Sequence, residues 1–474
     1  MTSSSSDTTA SWGQLFSGRN GWLALALTGG VALHAINVHI VTTVLPSVVA
    51  DIGGLDWYAW STTLFVVASI IGAALSVRVL AALGPRGAYL LALALFVLGS
   101  AACASAPFMA WLLAGRSVQG LGGGMLAALS YALIRVVFAP RLWPRAVALV
   151  SGMWGVATLC GPAVGGLFAQ AGHWRWAFWA LLPVAAWQAF LVIWQLRGKT
   201  ERQQDTPQVA LLQIALLAAS VLAVAGGSLS ARLLWQGLGV ALGLGLGAAA
   251  IAVDRRNQGG RGVCLLPDGA TDTGTALGGI YACVALLLLG TTTEIFVPYF
   301  LQTLHGLSPL AAGYLTAAMA AGWSAGSLLS SGRSGVMTLR LQRAGPVLCA
   351  VSLVALGVLV PLNAAAWSPA WLLGLLALAL GGVGAGVGMG WPHLLTRVLT
   401  VAPRGQEDMA SAAITTVQLY GMAVGAALAG LVANMAGLTQ PGGVAGAQSA
   451  AVWLFGLFAL APAYAAWLIH RALR

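Results

Sequence analysis

The sequence predicts an all-α polytopic membrane protein, and three observations support this fold class. Hydrophobic residues make up 59% of the 474 positions, charged residues only 7%, and the mean hydropathy is +0.88. No soluble fold buries that much apolar surface, so lipid is the expected solvent. Apolar runs of spanning length also recur along the whole chain, and the basic residues are concentrated in alternate connections between them.

The N-terminal segment differs from the rest of the chain. Residues 1–20 are rich in Ser and Thr and contain no short apolar core that ends at a small-residue cleavage site. This composition predicts a flexible cytoplasmic tail rather than a cleaved signal peptide.

Fourteen apolar runs follow this tail, and we number them spans 1 to 14. Each is long enough to cross the hydrocarbon core of about 30 Å as a helix. They lie at about 22–46, 58–80, 87–106, 109–134, 145–171, 176–196, 209–229, 233–253, 278–301, 311–331, 345–361, 370–394, 410–436 and 450–470.

The basic residues test this number of spans. With the N-terminus inside, nineteen of the 22 Lys and Arg residues fall in or beside cytoplasmic segments, and only Arg175 and Arg232 fall on outer loops. A missed or an additional helix would invert every later loop and destroy this asymmetry. The sequence therefore predicts an even number of helices and two cytoplasmic termini.

Two connections are longer and more polar than the others, Arg197–Gln208 and Asp254–Thr275. They bracket spans 7 and 8, so the chain is expected to form six helices, a two-helix insert and six helices. The predicted units are an N-terminal bundle at 21–197, a polar loop with the insert at 198–262 and a C-terminal bundle at 263–474. Membrane transporters are often built from such repeated bundles.

Several other classes of protein are disfavoured by composition. The net charge of +11 is spread along the chain and forms no patch for nucleic acid. No GxxxxGK[ST] phosphate loop is present, so ATP hydrolysis is not expected. The cysteines show neither CxxC nor metal-ligand spacing, and we expect no metal and no disulfide framework. They are Cys103, Cys160, Cys264, Cys283 and Cys349.

Span 5 contains the most informative short string of the chain. Gly161, Gly165 and Gly166 have small-xxx-small spacing, which lets a neighbouring backbone come close, while Pro162 removes one helical hydrogen bond and permits a bend. This pattern predicts a closely packed, bent helix that is suited to a moving part, although ordinary helix packing also explains it.

Three motifs in spans 4 to 6 follow one another in the order and spacing of a known family. They are Leu113-Ala-Gly-Arg116-Ser-Val-Gln119-Gly120-Leu-Gly122, Gly161-Pro162-Ala-Val-Gly165-Gly166 and Trp174-Arg175-Trp176-Ala-Phe178. They resemble the RxxQGxG, GPxxGG and WRWxF motifs of the major facilitator superfamily, and in particular of its 14-helix drug:H+ antiporter branch. The resemblance implies a major facilitator fold of two six-helix bundles, here with a two-helix insert, and transport by alternating access.

The chain departs from this branch at two positions. The family's acidic residue in helix 1 is replaced by Asn37, and the Asp of the loop between helices 2 and 3 is replaced by Ala81. In the family that loop is thought to latch the two bundles in one state. The departures therefore imply that any proton coupling uses other groups.

Few ionisable groups are available for coupling inside the membrane. A charge at a helix centre costs roughly 2.5–3.5 kcal/mol on insertion scales, so such groups normally face the bundle interior or a wet cavity. Glu294 in span 9 is the strongest candidate, because no other acidic residue lies unambiguously inside an apolar run. His34 shares a helix face with Asn37, whereas His39 is expected to point away from them. For Arg116 in span 4, the resemblance implies a role in proton exchange.

Each candidate also has a structural interpretation. Glu294 could snorkel to the outer interface or pair with Arg175 or Arg232. Arg116 could bind helix-end carbonyls, and His34 could be a hydrogen-bonded structural imidazole. The sequence alone leaves these alternatives open.

Aromatic and polar side chains on several spans predict a soft cavity for lipophilic molecules. Each aromatic residue could equally pack against lipid or another helix. The predicted lining residues are Asn37, Phe65, Gln119, Trp154, Thr158, Tyr299, Gln302, Trp323, Gln418 and Tyr420.

With the resemblance, these features predict a proton-coupled secondary exporter of small lipophilic or amphiphilic compounds, with the proton gradient in place of a cofactor. Uptake or facilitated transport of a metabolite stays open because of Asn37 and Ala81. A membrane-embedded lipid-modifying enzyme is the alternative from another class, but the scattered His and Asp residues supply no catalytic constellation. The excess of Arg over Lys is typical of a GC-rich bacterial genome, so we expect a bacterial inner membrane as the location. We also expect the protein to be a monomer.

Overall fold

The computed structural model describes residues 12–196, 208–258, 262–362 and 369–472, and every regular element in these ranges is helical. The first half contains α1 (Trp12–Phe16), α2 (Gly18–Ile52), α3 (Trp60–Ala104), α4 (Met109–Ala132), α5 (Ile134–Val137), α6 (Trp143–Gln170), α7 (Arg175–Trp179) and α8 (Leu181–Gln195). Two helices follow, α9 (Leu211–Gly227) and α10 (Leu233–Asn257). The second half contains α11 (Ala276–Thr291), α12 (Val297–His305), α13 (Pro309–Ser331), α14 (Val336–Leu359), α15 (Ala370–Val401), α16 (Glu407–Met435), α17 (Gly443–Phe458) and α18 (Leu460–Ala472). Short 3-10 helices lie at Leu55–Trp57, Pro140–Leu142 and Thr292–Phe296.

Ten helical segments among the described residues are long and apolar enough to cross a membrane. One of them corresponds to two predicted spans, because spans 2 and 3 are two helical parts of α3 joined directly at a kink. The chain turns inside α3 at Gly84, whose φ of 68° and ψ of 176° are readily adopted only by glycine, and Pro85 follows with no N–H to donate. The parts of α3 before and after Gly84, 24 and 20 residues long, rise by about 36 and 30 Å at 1.5 Å per residue, so each is long enough to cross the hydrocarbon core.

The end of the predicted tail is folded. Residues 1–11 lie outside the described residues, but α1 follows at once and α2 already begins at Gly18, before the predicted boundary at residue 21. Leu15 of α1 is fully buried, and the Arg145 guanidinium lies 5.3 Å from the centre of the Trp12 ring. Burial of Leu15 explains why this short helix stays on the bundle.

Helix packing defines two halves and a connecting pair. In the first half α3 packs against α4 and α2 against α6, while in the second half α15 packs against both α13 and α14. Helices α9 and α10 pack against each other, and α9 also contacts α3 of the first half and α16 of the second. The pair therefore lies against both halves.

The connection after α10 is held by specific hydrogen bonds. The buried Asp254 carboxylate accepts from the backbone N–H groups of Leu265 and Leu266 at 2.6 and 3.2 Å. Gln406 exchanges two hydrogen bonds with Asp268, at 2.8 and 2.9 Å. These bonds fix the part of the predicted 254–275 connection that the structure describes, whereas residues 197–207 of the other polar connection lie outside the described residues.

The two halves meet at the end of the molecule opposite the termini. Asn434 of α16 donates to the Asp56 carbonyl oxygen at 3.0 Å, and the Tyr58 ring stacks on Phe296 with centroids 4.9 Å apart. The two halves are therefore in direct contact at the end of the molecule opposite the termini.

Candidate functional site

Glu294 lies at the junction of the two halves and faces His39. The Glu294 Oε1 atom is 4.0 Å from His39 Nδ1, and both side chains are largely buried. His39 belongs to α2 of the first half, whereas Glu294 belongs to the 3-10 helix Thr292–Phe296 of the second half. The contact therefore joins two ionisable groups across the interface between the two halves.

The local sequence explains the 3-10 helix that carries Glu294. In an α-helix the Glu294 carbonyl oxygen would accept from the N–H four residues later, but that residue is Pro298, which has none. The Glu294 carbonyl accepts instead from the Val297 N–H, which is the 3-10 pattern. The hydroxyls of Thr291 and Thr292 donate back to carbonyls of α11 at 2.8 and 2.6 Å. These bonds interrupt the α-helical pattern and hold Glu294 at the break.

The glycines of span 5 lie where α6 approaches its neighbours. A Cβ atom at Gly161 would be forced into the Cβ of His39, and one at Gly165 would lie 2.9 Å from the Ile40 carbonyl oxygen. On the opposing half, a Cβ atom at Gly313 of α13 would lie 3.2 Å from the Cβ of Pro162. Helix α6 is therefore closely packed against α2 and α13 at once, and Gly161 makes room for the residue that faces Glu294.

Arg116 is buried within the first half. Its Nε donates to the Ser61 carbonyl oxygen at 3.2 Å, its Nη1 donates to the Gln119 side chain, and its guanidinium carbon lies 4.0 Å from the centre of the Phe65 ring. Gln119 in turn donates to the Ser100 hydroxyl at 2.8 Å. Ser61 is in the first turn of α3, so the carbonyl that accepts from Arg116 lies near the start of a helix and not at a helix C-terminus. No carboxylate among the described residues forms an ion pair with this guanidinium.

His34 lies beside this arginine cluster. Its ring stacks on Phe65 at 5.3 Å and meets the edge of Trp154 at 5.9 Å. Its Nδ1 atom and both polar atoms of the Asn37 side chain are buried without a protein hydrogen-bond partner. Unsatisfied buried polar atoms of this kind call for water or a ligand.

The other predicted lining residues lie on α6 in the first half and on α12, α13 and α16 in the second half. Thr158 donates back to the Trp154 carbonyl oxygen at 2.9 Å on α6. In the second half, Trp323 meets Trp391 at 4.8 Å and Tyr299 meets Tyr58 at 5.7 Å. Gln302 and Gln418 are partly buried, and the Gln302 Nε2 atom has no protein partner.

Tyr420 lies against the helix pair α9–α10. Its hydroxyl is 3.0 Å from the Ser220 hydroxyl of α9. Tyr420 was predicted to line the main cavity, whereas its hydroxyl contacts the helix pair. The reason is that α9 covers this face of α16, which no pattern in span 13 indicates.

The structure joins the predicted residues into two groups and gives Glu294 a partner that the sequence analysis missed. One group contains Arg116, Gln119, Phe65, His34 and Trp154, and the other contains Glu294 and His39. The predicted orientation of His39 referred only to its own helix, so it could not reveal a partner on another. Arg175, an alternative partner of Glu294, binds Asp51 at 2.6 Å instead.

This arrangement defines a class of protein. Two packed helical halves that meet around buried polar groups, with ten apolar segments of spanning length among the described residues, are typical of a polytopic membrane transporter. The sequence matches the Major Facilitator Superfamily over residues 27–426, and the chain belongs to that family. It is therefore a transporter rather than an enzyme.

Curated relatives are transporters as well. A probable multidrug-efflux transporter of Mycobacterium tuberculosis is 40% identical over 443 residues, which cover 92% of both chains. Multidrug resistance protein 3 of Bacillus subtilis is 24% identical over 313 residues, or 65% of this chain and 60% of that protein.

Solved structures agree in fold. A POT family transporter in complex with a thioalcohol-conjugated peptide superposes with a TM-score of 0.69 at 13% identity, covering 95% of this chain and 96% of that one. The xylose transporter XylE from E. coli, in an inward open conformation, gives a TM-score of 0.61 at 12% identity and covers 95% of each chain. At these identities the likeness supports the helical fold alone.

Proposed function

We propose that this protein is a proton-coupled secondary exporter of small lipophilic or amphiphilic compounds. The contact between Glu294 and His39 carries the proposal, because it joins ionisable side chains of opposite halves at the interface that must open and close. The name of the Mycobacterium tuberculosis relative, a probable multidrug-efflux transporter, supports the direction of transport.

We infer that the chain crosses the membrane fourteen times. Of the ten apolar segments, the one that contains α3 is long enough to cross twice, and the further helix Leu211–Gly227 is apolar but short. Helices α4 and α13 have spanning length, and their Gly, Ser, Thr and Arg residues lower the hydropathy. The proposed order is a bundle at 21–197, the insert at 198–262 and a bundle at 263–474, with both termini in the cytoplasm of a bacterial cell and the protein acting as a monomer.

The proposed coupling centres on the charge of Glu294. A protonated Glu294 beside a neutral His39 leaves no net charge at the interface. Loss of the proton leaves a carboxylate in a poorly hydrated site, where a cationic substrate is the natural counter-charge. Proton and substrate then exclude each other, which is the requirement for antiport. Arg116 and His34 would contribute from the first half, next to the unpaired amide of Asn37.

The proposed energy source is sufficient for export. One proton that moves inward across 100 mV provides about 2.3 kcal/mol, and one pH unit adds about 1.4 kcal/mol. Full coupling of one proton would therefore hold a gradient of roughly a few hundred-fold for a neutral substrate. A monovalent cation moves outward against the same potential, so only the pH difference drives its accumulation, about tenfold per pH unit.

Transport by inverted membrane vesicles tests this function. Vesicles that contain the protein and are acidified inside by respiration should accumulate tetraphenylphosphonium, and a protonophore should abolish the accumulation. Vesicles without the protein are the control. Accumulation only in right-side-out vesicles, or accumulation that the protonophore does not affect, would contradict proton-driven export and favour uptake or facilitated transport, the alternative supported by Asn37 and Ala81.

The charge of Glu294 also predicts a preference among substrates. Tetraphenylphosphonium and triphenylphosphine oxide have similar shapes, but only the first is a cation. The cation should raise the thermal stability of the detergent-solubilised protein more at high pH than at low pH, because binding competes with a proton. Glu294→Gln should weaken stabilisation by the cation far more than by the neutral compound. Equal losses for both compounds would mean that the carboxylate does not contact the substrate.

A further inference from the structure

One face of α14 changes from basic to apolar along the helix. Arg340 and Arg343 lie at its start, and Val347, Leu348 and Val351 follow at helical spacing on the same face. These residues line an open groove of about 630 Å³. The groove presents cationic groups at one end and an aliphatic surface along the rest.

The neighbouring helix α18 adds to the basic end. His470, near the end of α18, also lines the groove, and the following Arg471 lies with its guanidinium carbon 5.6 Å from the centre of the Trp467 ring. Neither α14 nor α18 contains an Asp or Glu, and none occurs between residues 295 and 406. The two helices that form the groove therefore contribute basic residues and no acidic ones to it.

The length of the groove corresponds to one leaflet. Arg340 and Val351 are eleven residues apart, and a helix rises 1.5 Å per residue, so the stripe extends for about 16 Å. Half of a hydrocarbon core of about 30 Å is about 15 Å. Val347, Leu348 and Val351 are all exposed, so this surface is available to an acyl chain.

The geometry points to a binding site for an anionic phospholipid of the leaflet on the side of the termini. Its phosphate would lie between Arg340, Arg343 and His470, and one acyl chain would follow Val347, Leu348 and Val351 toward the bilayer centre. Basic recesses between transmembrane helices bind acidic headgroups in this way. The site lies on the outer surface of the second half and is independent of the proposed transport cleft.

Native mass spectrometry of the intact protein tests this site. The protein is released from nanodiscs that contain equal amounts of phosphatidylglycerol and phosphatidylcholine, and the retained lipids are compared. The wild type should retain phosphatidylglycerol preferentially. The double variant Arg340→Gln/Arg343→Gln should lose roughly thirtyfold of this preference, because both cations near the headgroup are removed.

A matched variant removes the same charge elsewhere. Arg256 and Arg404 are exposed at the same end of the molecule but outside the groove, so Arg256→Gln/Arg404→Gln should keep the preference. Val347→Trp should block the apolar part and lower lipid retention, whereas Val358→Trp, on the same helix beyond the groove, should not. Equal retention of the two lipids by the wild type, an unchanged preference in the Arg340/Arg343 variant, or a mass of two protein copies without lipid would overturn the assignment.

Discussion

Glu294→Gln should abolish proton-driven accumulation while downhill movement of substrate stays measurable. Glutamine keeps the size of the side chain and its polar contact with His39, but it cannot bind and release a proton. Without that charge change the proton gradient has no means to favour one state of the two halves. In proteoliposomes with an imposed gradient of one pH unit, the accumulation ratio should therefore fall from about ten toward one.

Two other variants distinguish the role of the Glu294–His39 pair from that of His34. His39→Gln leaves the carboxylate without its titratable partner and should weaken accumulation, whereas His34→Gln should mainly shift the pH optimum. Accumulation that survives in Glu294→Gln but is lost in His34→Gln would reverse the assignment. Accumulation that survives in both would exclude proton antiport through these residues and support the facilitator alternative.

Gly161→Leu should abolish transport while the protein still folds. A Cβ atom at this position already collides with the Cβ of His39, so a leucine must push α6 away from α2 and displace the residue that faces Glu294. Overpacking of this kind usually costs about 1–3 kcal/mol, which is less than the total stability of most proteins. Substrate flux in proteoliposomes and thermal unfolding in detergent measure the two effects separately.

A second glycine provides the matched control for this substitution. Gly237 of α10 has nothing within 4 Å of a built Cβ atom, so Gly237→Leu should leave transport unchanged. Gly161→Ala adds only the Cβ atom and should reduce transport less than leucine does. A wild-type transport rate in Gly161→Leu would show that the close approach of α6 and α2 is not required.

Much of the helical framework could be predicted from the sequence because it depends on local properties. Apolar runs of spanning length and the placement of basic residues predicted helices that the structure contains, and the three motifs in spans 4 to 6 indicated the family that the comparison with known proteins confirmed. Spans 2 and 3 were predicted as separate helices, and the non-helical Gly84 separates them in the structure. The short connection was not predicted, because Gly84 turns the chain without the polar loop that normally marks a helix end.

The contacts between helices could not be predicted from the sequence. Tyr420 was predicted to line the main cavity, but it bonds to Ser220 because α9 lies on that face of α16. His39 was expected to point away from His34 and Asn37 on its own helix, and this orientation did not indicate that it faces Glu294. Helical periodicity describes the faces of one helix only, and it does not state which other helix each face meets.

The sequence by itself determined that the chain is a membrane protein, which segments are helical, and that Glu294 is an exceptional charge within an apolar run. Tertiary structure alone decided that Glu294 meets His39 across the two halves, that Arg116 is bound by Ser61 and Gln119, and that Arg175 binds Asp51. The physical reason is the solvent. Lipid is as apolar as leucine, so hydrophobicity drives a helix into the bilayer but does not select its neighbours; close packing at small residues and hydrogen bonds between helices make that selection.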